Sequence, residues 1–267
     1  MADQSERDAW RRLDRFGLPA GTQMALDEAL LLHVGQPERP SLSFYTWDPP
    51  ALSLGFFQRL GDVPAARHLP TVRRLTGGKA IHHADELTFS LAAPLDHPLY
   101  AGALQDGYTR VHRAVAEALR RFGVEARLRG SETLSSDQSG TGMCFHESSP
   151  LDLVWSGPDG LAKGLGSAQR RSRGRLLHHG SIKLGRPEYE DGVACVADTH
   201  PDPLDPRELA EALSQAFTTE LGLHLEADEL GAAELAHARA REAFFGSRPF
   251  LAREPEALHA ARRPPPS

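Results

Sequence analysis

The segment from Arg73 to His83 constrains this 267-residue chain more than any other part of its sequence. It places two arginines, a threonine and a glycine pair between apolar runs that favour β-strands. Because glycine has no Cβ, the backbone can pass close to a ligand and leave amide N–H groups pointing outward. The arginines add fixed donors for a carboxylate, phosphate or carbonyl oxygen. The whole segment predicts the floor of a pocket for an acyl or acyl-phosphate group, whereas a glycine pair alone is typical of a hairpin turn.

Hydrophobic periodicity along the rest of the chain predicts an α+β domain with a mixed β-sheet flanked by helices. Helical spacing predicts helices at 23–34, at 108–122, from 206 onward and at 230–244. Short β-rich runs predict strands at 42–47, 72–75, 87–92, 177–184 and 193–197, and a hairpin of 151–156 with 161–168. We expect Thr22 to cap the first helix and Asp205 to cap the third.

These elements are expected to form a single domain over residues 9–248. The polar residues 1–8 are expected to be loose. The tail 249–267 ends in three prolines and a serine and is expected to be disordered.

Composition argues against several classes of protein. A hydrophobic content of 40% with 25% charged residues is ordinary for a globular protein, and a net charge of −6 gives no general case for nucleic acid or an anionic membrane as partner. No apolar run is long enough to span a bilayer, and the polar N-terminus is unlike a secretory signal. Two cysteines far apart in the sequence, Cys144 and Cys195, do not make a disulfide framework. We therefore expect a cytoplasmic protein.

Five segments, in the same order, resemble the lipoate-attachment superfamily, which contains lipoate–protein ligases, octanoyltransferases and, more distantly, biotin ligases. The segments are 23–29, 45–58, 73–83, 163–171 and 179–182. The resemblance implies the catalytic-domain fold of the biotin and lipoate ligases. It also implies that the pocket binds its substrate through Arg73, Arg74, Thr76, Gly77, Gly78, Lys79, Ala80, His83, Gly166, Ser167 and His179.

Cys144 is the candidate nucleophile. It follows the irregular segment 129–143, whose glycines Gly140 and Gly142 let the loop present the thiol. A cysteine considered alone is more often an inert buried side chain. In the octanoyltransferase branch of the superfamily, however, a Cys-Phe followed by Ser-x-x-acidic-Leu carries the nucleophile, and residues 144–153 resemble that pattern. Leu151 stands where the family usually has an aromatic residue, which predicts a different substrate wall there.

Lys163 is the second candidate catalytic residue. A lysine near a hairpin turn is usually a solvated charge, but the sequence Lys163-x-x-Gly166-Ser167-Ala168-Gln169 resembles the lysine motif of the family. Its ammonium can hold the acyl carbonyl oxygen and favour ionisation of a nearby thiol. No histidine base is then required.

The resemblance implies an octanoyl-[acyl-carrier-protein]:protein N-octanoyltransferase of lipoate biosynthesis. Cys144 would attack the carrier thioester, and a lysine of a lipoyl domain or of the glycine-cleavage H protein would accept the octanoyl group as an amide. Because thioester exchange is nearly isoenergetic, we expect the domain 9–248 to act as an acyltransferase without ATP and without a cofactor.

Other functions stay open. An ATP-dependent lipoate–protein ligase would pass through an acyl-adenylate, but little room remains after residue 245 for the accessory domain of that family, and Cys144 would have no role. An octanoyl amidotransferase between lipoyl domains differs only in its acyl donor. A non-enzymatic lipoyl-binding protein would not explain the presence of both Cys144 and Lys163. A biotin ligase would need a Gly-Arg-Gly-Arg loop that the sequence lacks.

Two pairs of adjacent histidines, His82-His83 and His178-His179, raise the question of a metal. Neighbouring residues on a strand point to opposite faces, so each pair offers only one ligand to either face. Without cysteine or carboxylate at metal-site spacing, we expect no metal. The resemblance implies that His83 and His179 make polar contacts near the acyl group.

Four arginines cluster at Arg170, Arg171, Arg173 and Arg175. Such a cluster is commonly a solvated strand end, and it would also suit docking of an acidic carrier protein. Cys195 lies in an apolar run and is expected to belong to the core.

Overall fold

A computed structural model describes residues 9–35, 39–200 and 202–254 of the chain. The strands are β1 (Ala9–Leu18), β2 (Ser41–Trp47), β3 (Ala51–Leu54), β4 (Thr71–Arg73), β5 (Ile81–His83), β6 (Glu86–Pro94), β7 (Arg127–Leu128), β8 (Leu153–Gly157), β9 (Gly160–Ser172), β10 (Arg175–Lys183) and β11 (His224–Ala227). The α-helices are α1 (Ala20–Leu32), α2 (Leu104–Arg120), α3 (Pro206–Leu221), α4 (Ala232–Phe245) and α5 (Arg248–Leu251).

Eight strands form one mixed sheet in the order β11-β1-β2-β6-β10-β9-β8-β7. β1 pairs in parallel with both β11 and β2, and the pairs from β2 onward are antiparallel. A second sheet, β4-β3-β5, joins β3 to β4 in parallel and to β5 antiparallel. The predicted α+β class with a mixed sheet is confirmed.

The two faces of the large sheet are covered by different helices. Along β2, Phe44 packs into the cluster formed with α2 and α3, whereas the next residue, Tyr45, packs with α1 and α4. This alternation is what a strand with both faces covered requires. On α2, Val111, Val115 and Leu119 are fully buried, and each such side chain stabilises the fold by roughly 1.5–3 kcal/mol.

Helix boundaries follow local signals in one case and not in another. Asp205 accepts a hydrogen bond from the backbone N–H of Arg207 at 2.8 Å and caps α3 as predicted. The predicted cap at Thr22 is wrong, because α1 begins after Pro19 and Thr22 lies inside its first turn. The Thr22 hydroxyl instead donates to the Glu242 carboxylate of α4 at 2.8 Å.

Several expectations from the sequence differ from the structure. β1 and β11 were not predicted, and residues 193–197 form no strand but lead into a 3₁₀ turn at Val196–Asp198. Cys195 is fully buried, as expected. The predicted disordered tail starts inside a packed segment, since α5 buries Phe250; residues 255–267 and the segment 1–8 lie outside the described residues. No helix among the described residues has the length and apolar character to cross a bilayer.

Candidate active site

Cys144 opens a 3₁₀ turn, Cys144–His146, that is tied to the loop before β5. Its backbone N–H donates to the carbonyl of Ala80 at 2.6 Å, and the N–H of Ala80 donates to the carbonyl of Gly142 at 3.0 Å. Gly142 has φ +71°, and a Cβ there would lie 2.5 Å from the carbonyl oxygen of Asp62. Only glycine therefore fits at this point, and the half-buried thiol is held beside the glycine loop 77–78.

Lys163 reaches Cys144 from β9. Its Nζ lies 3.6 Å from the Cys144 Sγ and donates to the Cys144 carbonyl at 2.9 Å and to the Glu147 carbonyl at 3.2 Å. The Asp152 carboxylate pairs with the same ammonium at 2.8 Å. Burial works to lower the pKa of Lys163, but Cys144 and Asp152 outweigh it and raise that pKa above its ordinary value. The site therefore holds a permanent positive charge next to the thiol.

Asp152 is the functional residue to which the sequence assigned no role. Its carboxylate also accepts from the backbone N–H of Ser149 at 2.6 Å, which fixes the turn that follows Cys144. The signal was present in the Ser149-x-x-Asp152 spacing, which places a carboxylate within reach of its own turn. Asp152 thereby sets the position of Lys163 through a short local loop.

Arg74 holds the glycine loop 77–78 in place through hydrogen bonds to backbone carbonyls. Its guanidinium donates to the carbonyls of Gly77 and Lys79, each at 2.7 Å, and to the carbonyl of Ser53 at 3.0 Å. Gly55 lets β3 approach this loop, because a Cβ there would lie 1.7 Å from the carbonyl oxygen of Gly78. Arg74 faces the cavity, yet its donors mainly hold the loop, and burial lowers its pKa to about 10.

Arg73 does not serve the expected role of an anion donor at the pocket floor. Its guanidinium is fully buried and donates to the backbone carbonyls of Gly55, Gln58, Phe250 and Leu251. The side chain joins the loop after β3 to α5. The sequence prediction was wrong here because carbonyls distant in sequence take up the donors.

Two cavities meet at Cys144, which lines both together with Gly78 and Ser167. The narrow, mostly apolar cavity is lined by Met24, Tyr45, Trp47, Ser53, Arg74, Gly78, Ile81, His83, Thr88, Cys144, Gly166, Ser167, Ala168, His179, Gly180 and Ser181. The open groove, of about 700 Å³, is lined by Phe57, Gln58, Arg59, Asp62, Gly78, Lys79, Cys144, Glu147, Ser148, Ser149, Asp152, Lys163 and Ser167. The predicted residues Arg73, Thr76, Gly77 and Ala80 line neither.

The narrow cavity is apolar because the polar groups in its wall bind one another. His83 stacks on Trp47 with ring centres 3.8 Å apart, donates from Nδ1 to Glu86 at 2.6 Å, and accepts at Nε2 from the Ser53 hydroxyl at 2.7 Å. Burial lowers the pKa of His83 to about 4, so the ring is neutral at pH 7. Glu86 accepts further bonds from the hydroxyl of Ser181 at 2.9 Å and from Thr88 at 2.7 Å.

His179 is engaged in a similar way on the other side of the wall. Its Nε2 accepts from the Thr76 hydroxyl at 2.6 Å, and its Nδ1 lies 3.4 Å from the Asp27 carboxylate. Asp27 also accepts from Arg15 at 2.7 Å and from the Tyr45 hydroxyl at 2.9 Å. Burial works to raise the pKa of Asp27, but the charge of Arg15 and the hydrogen bond from His179 prevail and lower it to about 2. Both histidines therefore face the cavity with their ring nitrogens committed to protein partners.

Ser167 directs its hydroxyl away from Cys144, through the sheet. The hydroxyl contacts His112 Nε2 at 2.6 Å and His178 Nε2 at 3.0 Å, while His112 Nδ1 donates to the Leu151 carbonyl at 2.5 Å. Since a carbonyl can only accept, His112 carries its proton on Nδ1 and Ser167 donates to Nε2. His112 thus links Ser167 to the residue beside Asp152. The sequence missed it because it looks like another buried position of α2.

The paired histidines diverge, as expected from strand geometry. The His178 ring lies 4.8 Å from the Tyr108 ring, tilted by 59°, on the α2 face, opposite the Asp27 contact of its neighbour His179. Among the described residues, no group of three or more His, Cys, Asp or Glu side chains is arranged to hold a metal ion.

Residues 19–186 match the family model of the lipoyl protein ligase A/B catalytic domain. Octanoyltransferase LipM of Kyrpidia tusciae is 32% identical over 257 residues, which cover 84% of this chain and 92% of that relative. Octanoyltransferase LipM of Moorella thermoacetica is 40% identical over 183 residues, or 66% of each protein. The chain belongs to the lipoyl protein ligase A/B catalytic-domain family.

Solved structures share the fold. A lipoate-protein ligase A bound with ATP superposes with a TM-score of 0.70 at 22% identity, covering 91% of this chain and 98% of that chain. A bi-partite lipoate protein ligase from Thermoplasma acidophilum gives 0.68 at 22% identity, with 92% and 98% covered. The predicted fold and family are confirmed, and the octanoyltransferase relatives confirm the predicted enzyme class, an acyltransferase.

Proposed function

We propose that this member of the lipoyl protein ligase A/B family is an octanoyltransferase that carries the acyl group as a thioester on Cys144. One observation carries the proposal. The Cys144 thiol sits where a narrow apolar cavity meets an open polar groove, with the Lys163 ammonium 3.6 Å away. A saturated acyl chain suits the first space, and a polar donor or acceptor protein suits the second.

In the first step, the Cys144 thiolate attacks the carbonyl carbon of the octanoyl thioester on a carrier protein. The new sulfur–carbon bond forms as the bond to the carrier's sulfur breaks, and the carrier leaves as a thiolate that takes up a proton. Lys163 stabilises the attacking thiolate by its charge. Among the three oxygen atoms that contact the Lys163 Nζ, the Glu147 carbonyl is the most distant at 3.2 Å, and the proton shared with it is the one most easily redirected to the developing oxyanion.

In the second step, a neutral lysine amine of the acceptor protein attacks the Cys144 thioester. The carbon–nitrogen bond forms, the carbon–sulfur bond breaks, and the proton lost by the amine returns to the departing Cys144 sulfur. The acceptor enters through the open groove, which is the wider of the two spaces at Cys144. The product is an amide, which is more stable than the thioester, so the transfer runs forward without ATP.

We further propose that the donor is octanoyl-acyl carrier protein, that the acceptors are lipoyl domains or the glycine-cleavage H protein, and that the enzyme works in the cytoplasm. The supporting features are the cysteine and lysine pair and the octanoyltransferase names of the relatives. An amidotransferase that takes octanoyl from another lipoyl domain would use the same chemistry and differ in the donor alone.

Intact-mass analysis after mixing with octanoyl-carrier protein in nucleotide-free buffer tests this function. One octanoyl adduct should form on Cys144 and disappear when a lipoyl domain is added. An octanoylated lipoyl domain offered as donor in a parallel reaction distinguishes the amidotransferase. If only octanoate or lipoate together with ATP modifies the acceptor, the protein is a ligase and the proposal fails.

A further inference from the structure

A basic groove lies at the far end of β9, beyond the acyl cavity. Its volume is about 720 Å³, and its lining includes Tyr108, Arg170 and Arg171 at the end of β9, and Arg173 in the turn between β9 and β10. Arg171 and Arg173 are exposed. Ion pairs of the described residues engage other arginines, such as Arg186 with Asp198, and none of them includes Arg171 or Arg173. Arg171 and Arg173 therefore present positive charge that no ion pair with a carboxylate of the described residues neutralises.

Exposed leucines accompany this charge. Leu104, at the start of α2, lines the groove and is 54% exposed, the highest value among the exposed large hydrophobic residues. Leu95 is 37% exposed, and its N–H donates to the carbonyl of Gly174, inside the arginine turn, at 2.8 Å. Basic and apolar groups side by side are typical of a surface that binds an amphipathic acidic segment.

β9 runs from beside the proposed nucleophile Cys144 to this basic surface. A Cβ at Gly166 would lie 3.6 Å from the Cys144 Sγ, and a strand rise of about 3.3 Å per residue places Arg171 roughly 17 Å further along. Between them, the Arg170 guanidinium packs over the ring of Phe56 at 4.7 Å. Phe56 contacts Phe57, which lines the open groove beside Cys144. Arg170 also lines the basic groove, so its side chain contacts both that groove and the Phe56–Phe57 pair at the open groove.

We propose that this surface, formed by Leu95, Leu104, Arg171 and Arg173, docks the acyl donor, a carrier protein with an acidic helix. The proposal rests on the proposed function. The distance of about 17 Å between Gly166, beside Cys144, and Arg171 favours the acyl donor over the acceptor as the protein bound here. An acyl group at the end of a long, flexible prosthetic arm can reach Cys144 from a body bound about 17 Å away. An acceptor lysine side chain is far shorter, so the acceptor protein must bind at the open groove itself.

The double variant Arg171→Glu with Arg173→Glu tests the surface, with Arg239→Glu on α4, an exposed arginine, as the matched control. Acylation of Cys144 is measured with octanoyl-carrier protein and with octanoyl-pantetheine, which has no protein body. We expect the KM for octanoyl-carrier protein to rise at least about tenfold in the double variant, since reversed charges repel an acidic partner. Its acylation by octanoyl-pantetheine and the control's KM for the carrier should stay unchanged.

The outcomes separate this surface from the chemistry. An unchanged KM for octanoyl-carrier protein in the double variant overturns the docking surface, as does an equal loss with octanoyl-pantetheine. Slower transfer from pre-acylated enzyme to a lipoyl domain, with normal acylation, would assign the surface to the acceptor instead and also overturn it. If the unmodified enzyme takes octanoyl from neither donor, the proposed function itself fails.

Discussion

Two buried lysines, Lys163 and Lys183, contact the Phe145 ring, with Nζ atoms 5.4 Å and 4.6 Å from its centre, and they differ in their other partners. Lys183 pairs with Glu86 and with Glu190, each at 2.8 Å, and donates to the His82 carbonyl at 2.6 Å. Lys163 pairs with a single carboxylate, Asp152. Its other two bonds go to carbonyls of the Cys144 turn.

The difference shows how similar components give a structural site and a chemical one. The Lys183 site is a cation between two fixed carboxylates, whereas the Lys163 site has one carboxylate and a thiol 3.6 Å away. When Cys144 ionises, the two sites carry the same charges. The second anion at Lys163 is therefore the proposed nucleophile itself, and it is the anion whose charge is lost when the sulfur is acylated.

The largest expected effect concerns the two cysteines beside these lysines. Cys144→Ala should abolish the octanoyl adduct and transfer, because the other side chain with a hydroxyl that lines both cavities, Ser167, directs that hydroxyl to His112 at 2.6 Å. Cys195→Ala should keep both, since burial raises the pKa of Cys195 to about 12 and its thiol donates to the Gly185 carbonyl. Intact mass after exposure to octanoyl-carrier protein measures the adduct. An adduct that persists in Cys144→Ala would contradict the nucleophile assignment.

Replacing each lysine by methionine should show that Lys163 mainly supports transfer and that Lys183 mainly supports stability. Lys163→Met should lower transfer about a hundredfold to a thousandfold, as removal of an oxyanion donor does. Lys183→Met leaves two buried glutamates without a cation and should lower the free energy of unfolding by about 3–5 kcal/mol. The measurements are steady-state transfer and urea unfolding of both variants.

The matched control is Lys163→Arg. It keeps the charge but places a bulky planar head where the ammonium was. We expect it to restore the rate of Cys144 alkylation by iodoacetamide better than it restores transfer. If Lys163→Met and unmodified protein are alkylated at the same rate, the charge of Lys163 does not activate the thiol and the contrast between the two lysines is lost.

A smaller effect is expected from His112, which holds Leu151 next to the carboxylate partner of Lys163. His112→Asn can still donate to the Leu151 carbonyl, whereas His112→Gln keeps only the acceptor towards Ser167. We expect the glutamine variant to lose about tenfold in kcat, within the range for one lost buried hydrogen bond, and the asparagine variant to lose less. Steady-state kcat and KM, with melting temperatures, measure this. Equal melting losses with unchanged kcat in both variants would make His112 purely structural.

A further effect, spread over several pH units, is a pH dependence of stability at the Lys183 site, through His83, which donates to Glu86. The pKa of His83 is about 4 in the fold and about 6.5 when unfolded, so the unfolded chain binds the proton more readily. Stability is complete above pH 6.5 and falls as the pH drops towards 4, by on the order of 3 kcal/mol from this residue. Denaturant unfolding between pH 4 and 7 should show a shallower slope in His83→Gln. If His83→Gln and the unmodified protein show the same dependence of stability on pH, His83 does not cause that dependence.

The parts of the fold that the sequence predicts are those with an apolar pattern of their own. β2, β10 and α2 carry such patterns and were found. β1 was missed because Arg11 and Arg15, which look like solvent-facing residues, are buried in ion pairs with Glu234 and Asp27. Glu234 belongs to the distant helix α4, and Asp27 lies on the helix that follows β1, so the local pattern of β1 itself does not contain the reason for the burial of these arginines.

The same division applies to the site. Cys144 and Lys163 were found from motif spacing within a resemblance, and the structure brings them together. The assignment of Arg73 as a donor to substrate was wrong, because its carbonyl partners lie on other segments. The hydrogen-bond commitments of His83 and His179 could not be predicted either, since a ring nitrogen's partner depends on tertiary contacts.

The bond between the Cys144 N–H and the Ala80 carbonyl has a consequence for folding. The thiol, its lysine and the glycine loop come from segments far apart in the sequence, and closing such loops costs entropy that only late contacts recover. During synthesis and refolding, Cys144 is therefore an ordinary thiol, without the neighbouring charge. The contact with the Lys163 ammonium forms only in the completed domain, so the proposed acyl loading of Cys144 depends on complete folding.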